Sequence, residues 1–308
     1  MDPRIRTQAE LLCDYCVEIE AGDDVIVKAP PVAEDLVVAL NEAIGERGGR
    51  PTWWARSSRA SRAYLRAVDA DDLDTKSHDL AAMEAADAVI IVQGSTNTKE
   101  TSDVDPAVMS AAGAAFQPVL DARIENRWVG TQYPAPGNAQ DAEMSTEAYE
   151  DFVYRAIDKD WEAQREFQAQ MVEILEAASE VRIRSGAETD LTMSVDGMHA
   201  ENDHGTINMP AGEAFTCPVP DSVEGTVLFD KPLVRGGREL TDVRLTFDDG
   251  EVVDYSAADH EDMIESILET DEGASRLGEL GIGMNRDIDR FTYNMLFDEK
   301  MGDTVHMA

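Results

Sequence analysis

The sequence predicts an α/β protein with two domains: an N-terminal, doubly wound, mostly parallel sheet and a smaller α+β domain. The chain has 308 residues, of which 43% are hydrophobic, and single cores tend to stop growing near ~250–300 residues. Strand and helix patterns alternate in the first half, whereas short alternating strands dominate after residue 186. We therefore expect one domain over residues 1–186 and a second over 187–308.

The first half reads as a series of strand–helix units separated by short polar turns. The run at 88–92, AVIIV, shows no polar alternation, which is typical of a parallel strand covered on both faces. A long helical pattern then spans about 145–179. The other predicted strands are 25–27, 51–55 and 128–133, and the predicted helices are 4–20, 33–47, 58–67 and 105–115.

The second half carries the alternating pattern of strands that are half exposed. Asp248-Asp249-Gly250 predicts a tight hairpin turn between two of them. The predicted strands are 191–195, 226–229, 243–247 and 251–255, with one helix at about 259–269.

The charge balance restricts the possible partners. Lys and Arg number 26 and Asp and Glu number 63, so the net charge is 26 − 63 = −37. A surface this negative repels phosphate, which argues against nucleic acid and anionic membranes as partners. Only six basic residues are Lys, and the acids are spread along the chain, which indicates adaptation to a very salty cytoplasm. An acidic cluster is therefore weak evidence for a metal site in this protein.

The sequence shows neither the pattern of a membrane helix nor that of a signal peptide. No apolar run reaches the ~18–20 residues that a membrane helix needs, and no apolar stretch precedes Leu11. We expect a cytoplasmic protein.

Two short motifs in the first half could carry chemistry. Cys13 and Cys16 have CxxC spacing, but they lie within a helical pattern and no second CxxC completes a zinc site, so we interpret them as small apolar residues. Gly94–Thr98 follows a predicted parallel strand at the edge where such sheets bind ligands, although an ordinary polar turn is favoured. The absence of a phosphate loop and the net charge argue against a nucleotide-binding protein.

Three residues of the second half could bind a metal ion. Glu213 follows a Pro/Gly turn, Glu279 lies among Leu and Ile in a glycine-rich segment, and His306 lies beside Val305. A carboxylate in apolar surroundings needs a partner, and a cation is one such partner. Two carboxylates and an imidazole form an O/O/N ligand set that suits zinc, cobalt or manganese.

These segments resemble the thermophilic aminopeptidase T family of dinuclear metallo-aminopeptidases. Residues 208–218, NMPAGEAFTCP, resemble its segment N-x-P-x-G-E-V-F-T-A-P. Further similar segments include WVGTQYP at 128–134, EGASRLGE at 272–279 and DEKMGDTVHMA at 298–308, so that the resemblance runs from about residue 8 to 308.

The resemblance implies that Glu213, Glu279 and His306 are metal ligands in a catalytic domain over 187–308. It implies two divalent ions, Zn, Co or Mn, with Glu213 or Glu279 bridging them, and short peptides as substrates of a homodimer. No residue is assigned as the general base. Further family ligands, a His and an Asp in an H-x-D segment, lie beyond the position of His306, and Ala308 is two residues after it. We expect a chain ending there to be a poor aminopeptidase; the alternative is a catalytically crippled relative that binds peptides or metal.

Overall fold

The structure is a computed structural model that describes residues 2–235, 238–271 and 273–308. It separates into two compact units: one holds the residues up to 159 together with 205–211, and the other holds 160–204 and 212–308. Residue 186 lies within the second unit, at the turn between its first two strands. The division into domains 1–186 and 187–308 stays a prediction.

The first unit alternates strands and helices as expected. The elements in chain order are α1 (Pro3–Leu11), β1 (Asp24–Ala29), α2 (Glu34–Glu46), β2 (Arg50–Ala55), α3 (Ser58–Leu65), α4 (Ser77–Glu84), β3 (Ala88–Gln93), α5 (Pro106–Ile124), β4 (Arg127–Gln132), α6 (Pro136–Asp141) and α7 (Thr146–Ile157). The parallel sheet has the order β2-β1-β3-β4, and the chain later adds a short fifth strand beside β4.

Helices cover this sheet because its central strands are apolar on both faces. Ile26 and Val89 are paired neighbours on one face and pack with Met83 of α4 and Val119 of α5. Val25 and the other odd-numbered residues of β1 point to the opposite face, since side chains alternate along a strand. Strand β3, predicted to be covered on both faces, has its first three residues fully buried. The doubly wound sheet predicted from the sequence is confirmed.

Two helices end earlier than the sequence patterns indicated. The first regular helix ends at Leu11 and continues as a π-helical turn, Leu12–Cys16, which contains both cysteines of the CxxC motif. Both are buried, and burial raises the pKa of the Cys13 thiol to about 12, so this thiol stays protonated and unreactive at neutral pH. The long pattern at 145–179 is two helices, because Asp160 caps a new one by accepting a hydrogen bond from the backbone N–H of Ala163.

The second unit is built mainly from antiparallel strands. Its elements begin with α8 (Trp161–Ala177), β5 (Glu180–Ser185), β6 (Thr189–Ser194) and β7 (Ala200–Asp203), after which β8 (Asn208–Met209) returns to the first unit and pairs with β4. The remaining elements are β9 (Glu213–Thr216), β10 (Glu224–Leu228), β11 (Leu233–Arg235), β12 (Arg238–Leu240), β13 (Arg244–Asp248), β14 (Glu251–Ser256), α9 (Asp262–Leu268), β15 (Leu280–Gly283), α10 (Met295–Asp298) and β16 (Thr304–Met307).

These strands form two larger sheets and a hairpin. One sheet has the order β14-β13-β10-β6-β5, the other β16-β15-β9-β7, and β11 pairs with β12. The predicted hairpin turn joins β13 to β14, with positive φ at both Asp249 and Gly250, as a type I′ turn requires. The combination of a parallel sheet with separate antiparallel sheets confirms the α/β class. Within the described residues, no helix is long and apolar enough to cross a membrane.

Candidate metal centre

The four-stranded sheet β16-β15-β9-β7 brings the predicted metal ligands onto one face. Strand β15 lies between β9 and β16, and its glycines pair across to Glu213, Phe215 and His306. Because alternate residues of a strand share a face, Glu213 and His306 project from the same side as Gly281 and Gly283. The other side carries Ala214, Leu280 and Ile282, which pack into the apolar core. Glu279 immediately precedes β15.

The glycines of β15 make room for these side chains. A Cβ atom at Gly281 would lie 2.0 Å from Nε2 of His306 and 2.1 Å from its Cε1. The imidazole therefore lies directly against the backbone of β15, where any side chain would displace it. By contrast, a Cβ atom at Gly278 would approach its nearest neighbour, the carbonyl oxygen of Ala308, at an ordinary 3.5 Å.

The three predicted side chains lie close together in space. Nε2 of His306 lies 3.2 Å from Oε2 of Glu213 and 3.3 Å from Oε1 of Glu279. Glu213 is 5% exposed, so its charge is held away from water. Oε2 of Glu213 and Nδ1 of His306 are buried and make no hydrogen bond to any described residue. The hydrogen bond from His306, helped by the positive charges nearby, lowers the pKa of Glu279.

The backbone around Glu213 is held by buried glutamines. Nε2 of Gln168, on α8, donates to the main-chain oxygens of Asp203 and Glu213, both at 2.9 Å. Gln164, one turn earlier, donates to the main-chain oxygen of Met284. Buried amides that bond three strand ends leave the sheet little freedom to shift, so the position of Glu213 is set by the fold.

Lys300 completes the cluster and had no assigned role in the sequence. It is 1% exposed, and its Nζ lies 2.8 Å from Oε1 of Glu213, 2.9 Å from Oε2 of Glu299 and 4.0 Å from Oδ2 of Asp203. Burial lowers the pKa of Lys300, but the three carboxylates outweigh it, so the pKa stands above its ordinary value and the side chain is charged. A signal was present in the sequence, because Lys is rare in this chain and Lys300 follows two acids in the segment DEKMGD.

Among the described residues, no group of three or more His, Cys, Asp or Glu side chains is arranged so that it could hold a metal ion. Instead, Nε2 of His306 lies between the carboxylates of Glu213 and Glu279 as a polar partner. The structure thus brings the three predicted residues together, while their role as metal ligands stays a prediction.

The turn at Gly94–Thr98 lines a cleft of about 290 Å³ at the carboxyl edge of the parallel sheet. Its walls carry neutral polar groups, among them Gln93, Gln132 and Asn138, and one carboxylate, Glu100. No Lys or Arg of the described chain lines the cleft. This lining offers no positive charge to balance a phosphate.

Known proteins share both the sequence pattern and this fold. The chain is 26% identical over 345 residues to aminopeptidase AmpS of Bacillus subtilis (strain 168), covering 99% of this chain and 83% of that protein. It is 27% identical over 340 residues to aminopeptidase 2 of Geobacillus stearothermophilus, covering 97% and 81% of the two chains. The solved structure of wild-type AmpT from Thermus thermophilus superposes with a TM-score of 0.88 at 25% identity, covering 99% of this chain and 85% of that one.

A family model described as thermophilic metalloprotease (M29) matches residues 1–308. The match covers both units and includes all the segments on which the family resemblance was based. Membership implies a peptidase that uses a divalent metal ion. The protein therefore belongs to the M29 family of thermophilic metalloproteases, the aminopeptidase T family that its motifs predicted.

Proposed function

We propose that this protein is a metal-dependent aminopeptidase that releases N-terminal residues from short peptides by two-metal activation of water. The observation that carries the proposal is the convergence of Glu213, Glu279 and His306 on one sheet face. The relatives named aminopeptidase support the reaction class.

Two carboxylates and an imidazole are donor types that suit a divalent ion. Two ligand atoms on one tetrahedral ion with bonds of ~2.0–2.2 Å lie about 3.3–3.6 Å apart. The distances from Nε2 of His306 to the two carboxylate oxygens, 3.2 and 3.3 Å, are close to that range. Oε2 of Glu213 is a buried carboxylate oxygen without a hydrogen-bond donor among the described residues, and a metal ion would give this oxygen a partner. We propose these three residues as metal ligands and zinc, cobalt or manganese as the ion.

The bound ions would supply a water of lowered pKa and polarise the scissile carbonyl. The protein's own residues hold the proposed ligand side chains in position. The glutamines of α8 hold the backbone of Glu213, and Lys300 bonds one of its oxygens and leaves the other facing His306. Gly281 allows the imidazole to lie against β15 with Nε2 directed at the carboxylates.

Three donors suffice for one ion, and the second ion needs further donors. The H-x-D segment that the family resemblance implies would provide them. Either Glu213 or Glu279 would bridge the ions. A homodimer and a cytoplasmic, high-salt location also belong to the proposal, supported by the family resemblance for the first and by the net charge of −37 for the second.

Ligand variants test this function directly. The assay follows release of the first residue from a free-amine peptide, with the acetylated peptide as control, for the 308-residue chain and for one that carries the family's H-x-D segment. We expect E213Q, E279Q and H306Q to lose roughly 10²–10³ or more in rate in the longer chain, and to lose bound metal. Glu201→Gln, an exposed carboxylate on β7, is the matched control and should retain both.

The position of the imidazole can be tested through glycine. We expect G281A to lower metal content and activity, because a methyl group would occupy the space of the His306 ring. G278A is the matched control and should leave both unchanged. Equal cleavage of free and acetylated peptides would refute the aminopeptidase, and wild-type metal content in all three ligand variants would refute the proposed ligands.

A further inference from the structure

We infer that Lys300 is an internal counter-cation of the candidate metal centre, which keeps the metal-free protein folded and lowers its affinity for divalent ions. The inference rests on the proposed function for the identity of the site, and it assigns to Lys300 a positioning and charge-balancing role that is separate from metal binding itself.

Several carboxylates are buried close together around Lys300. Glu213 is 5% exposed, and the side chain of Asp203 is only 8% exposed, on adjacent, directly paired positions of β9 and β7. Glu299 lies next to Lys300 in sequence and bonds its ammonium at 2.9 Å. Carboxylates so placed repel each other strongly, because a partly dry interior screens charge much less than water does.

Lys300 is buried at the centre of these carboxylates. It is among the largest side chains in the protein that are fully buried, and its ammonium faces three carboxylates. Its backbone is fixed as well, because Lys300 N–H donates to Phe297 and its carbonyl oxygen accepts from Asn285 N–H. A buried lysine is costly unless it is paired, so the burial of Lys300 depends on the carboxylates that face it.

The two carboxylate oxygens of Glu213 have different partners. One oxygen, Oε1, lies against Lys300, and the other, Oε2, faces His306. The ammonium therefore orients the carboxylate so that a single oxygen is presented to the proposed ion. It also places a positive charge one carboxylate away from that ion, and the repulsion between the two cations must weaken metal binding.

Removing the positive charge of Lys300 should lower the stability of the metal-free protein and raise its affinity for metal ions. Lys300→Met keeps most of the length and apolar stem of the side chain but loses the ammonium. In excess chelator, we expect its melting temperature to fall by roughly 10 °C or more, because one partner of a buried ion pair is missing. Its affinity for Mn²⁺ or Zn²⁺ should rise roughly ten-fold or more, since the competing positive charge is gone.

The experiment measures melting in chelator and metal affinity by calorimetry on the same purified protein. Lys28→Met is the matched control: Lys28 lies in the first unit and forms no ion pair with a carboxylate among the described residues, so its variant should bind metal as the wild type does. A purely structural role for the side chain would change stability without tightening metal binding.

A second variant covers the case in which K300M does not fold in chelator. K300M/E299Q removes one of the unbalanced negative charges, so it should recover a folded, metal-free protein. Recovery supports the counter-cation, as does folding of K300M only when metal is added; failure of the double variant under both conditions overturns it.

The two proposals fail in different ways. A wild type that binds no divalent ion would refute the metal centre, while the melting of K300M in chelator still tests Lys300. Unchanged melting of K300M, or metal binding no tighter than that of the wild type, would refute the role of Lys300.

Discussion

Two lysines of this protein, Lys28 in the first unit and Lys300 in the second, experience opposite electrostatic surroundings. Burial lowers the pKa of Lys28, the nearby guanidinium groups of Arg56 and Arg123 lower it further, and the result is about 8. The ammonium lies 4.7 Å from the ring centroid of Phe116. Around Lys300, three carboxylates outweigh a similar cost of burial and raise the pKa.

The difference shows that burial alone does not decide whether a charge is tolerated. The chain has 63 acidic residues for 26 basic ones, yet Lys28 lies beside other cations and an aromatic ring. Lys300 is enclosed by acids in a unit that contains the candidate metal centre. The charge of Lys28 therefore lowers the stability of the folded protein, whereas the charge of Lys300 stabilises the carboxylates around it.

Replacing each of the two lysines by glutamate should reveal the difference between their surroundings most strongly. Lys300→Glu adds another carboxylate to the buried acidic cluster and should destabilise the metal-free protein by about 5 kcal/mol or more. Lys28→Glu places a carboxylate near Arg56 and Arg123 and should remain within about 1 kcal/mol of the wild type. Urea denaturation in chelator measures both, and equal losses for the two variants would contradict the assignment of opposite surroundings.

Lowering the salt concentration should destabilise the protein through its many exposed acidic residues more than through the buried carboxylates around Lys300. The Debye length rises from ~3 Å at 1 M to ~30 Å at 0.01 M salt, so the repulsion of a chain with net charge −37 is no longer screened. We expect the melting temperature to fall by roughly 10 °C or more. Thermal melting across this range in chelator tests it, because bound divalent ions would mask the effect; a constant melting temperature would refute salt adaptation.

Lys28→Met should stabilise the protein at neutral pH by about 3 kcal/mol. Below pH 8 the lysine is charged in both states and the full cost is present. Between about 8 and its ordinary 10.5 the unfolded chain binds more protons, so wild-type stability rises with pH. The gain from the variant should therefore vanish above pH 10.5, and a gain independent of pH would show that packing, not charge, is responsible.

A further effect is expected at Asp298, a carboxyl group near Lys300 in sequence that forms no ion pair with a Lys or Arg among the described residues. Burial raises its pKa to about 6, although Thr292 donates two hydrogen bonds to it. The folded state then binds more protons than the unfolded state between about pH 4 and 6, so ionisation costs stability above pH 6. Asp298→Asn should add about 2–3 kcal/mol at pH 7, slightly less than Lys28→Met, and nothing below pH 4; denaturation at the two pH values measures the difference.

Much of the first unit could be predicted because its local and tertiary signals agree. The run at 88–92 has no polar alternation, and β3 is buried between β1 and β4. The strands of the sheet around the candidate metal centre, β7, β9, β15 and β16, could not be predicted. Each is only four residues long, and β15 has glycine at every second position, which weakens both propensity and periodicity.

The sequence by itself determined the α/β class, the family and three residues to examine: Glu213, Glu279 and His306. These depend on apolar periodicity and on contiguous motifs, which are local properties of the chain. Only the tertiary structure decided that Gly281 makes room for the imidazole and that Lys300, rather than another lysine, lies among carboxylates. The physical reason is that electrostatic energies and close approaches depend on distances between residues far apart in sequence, and antiparallel pairing sets those distances.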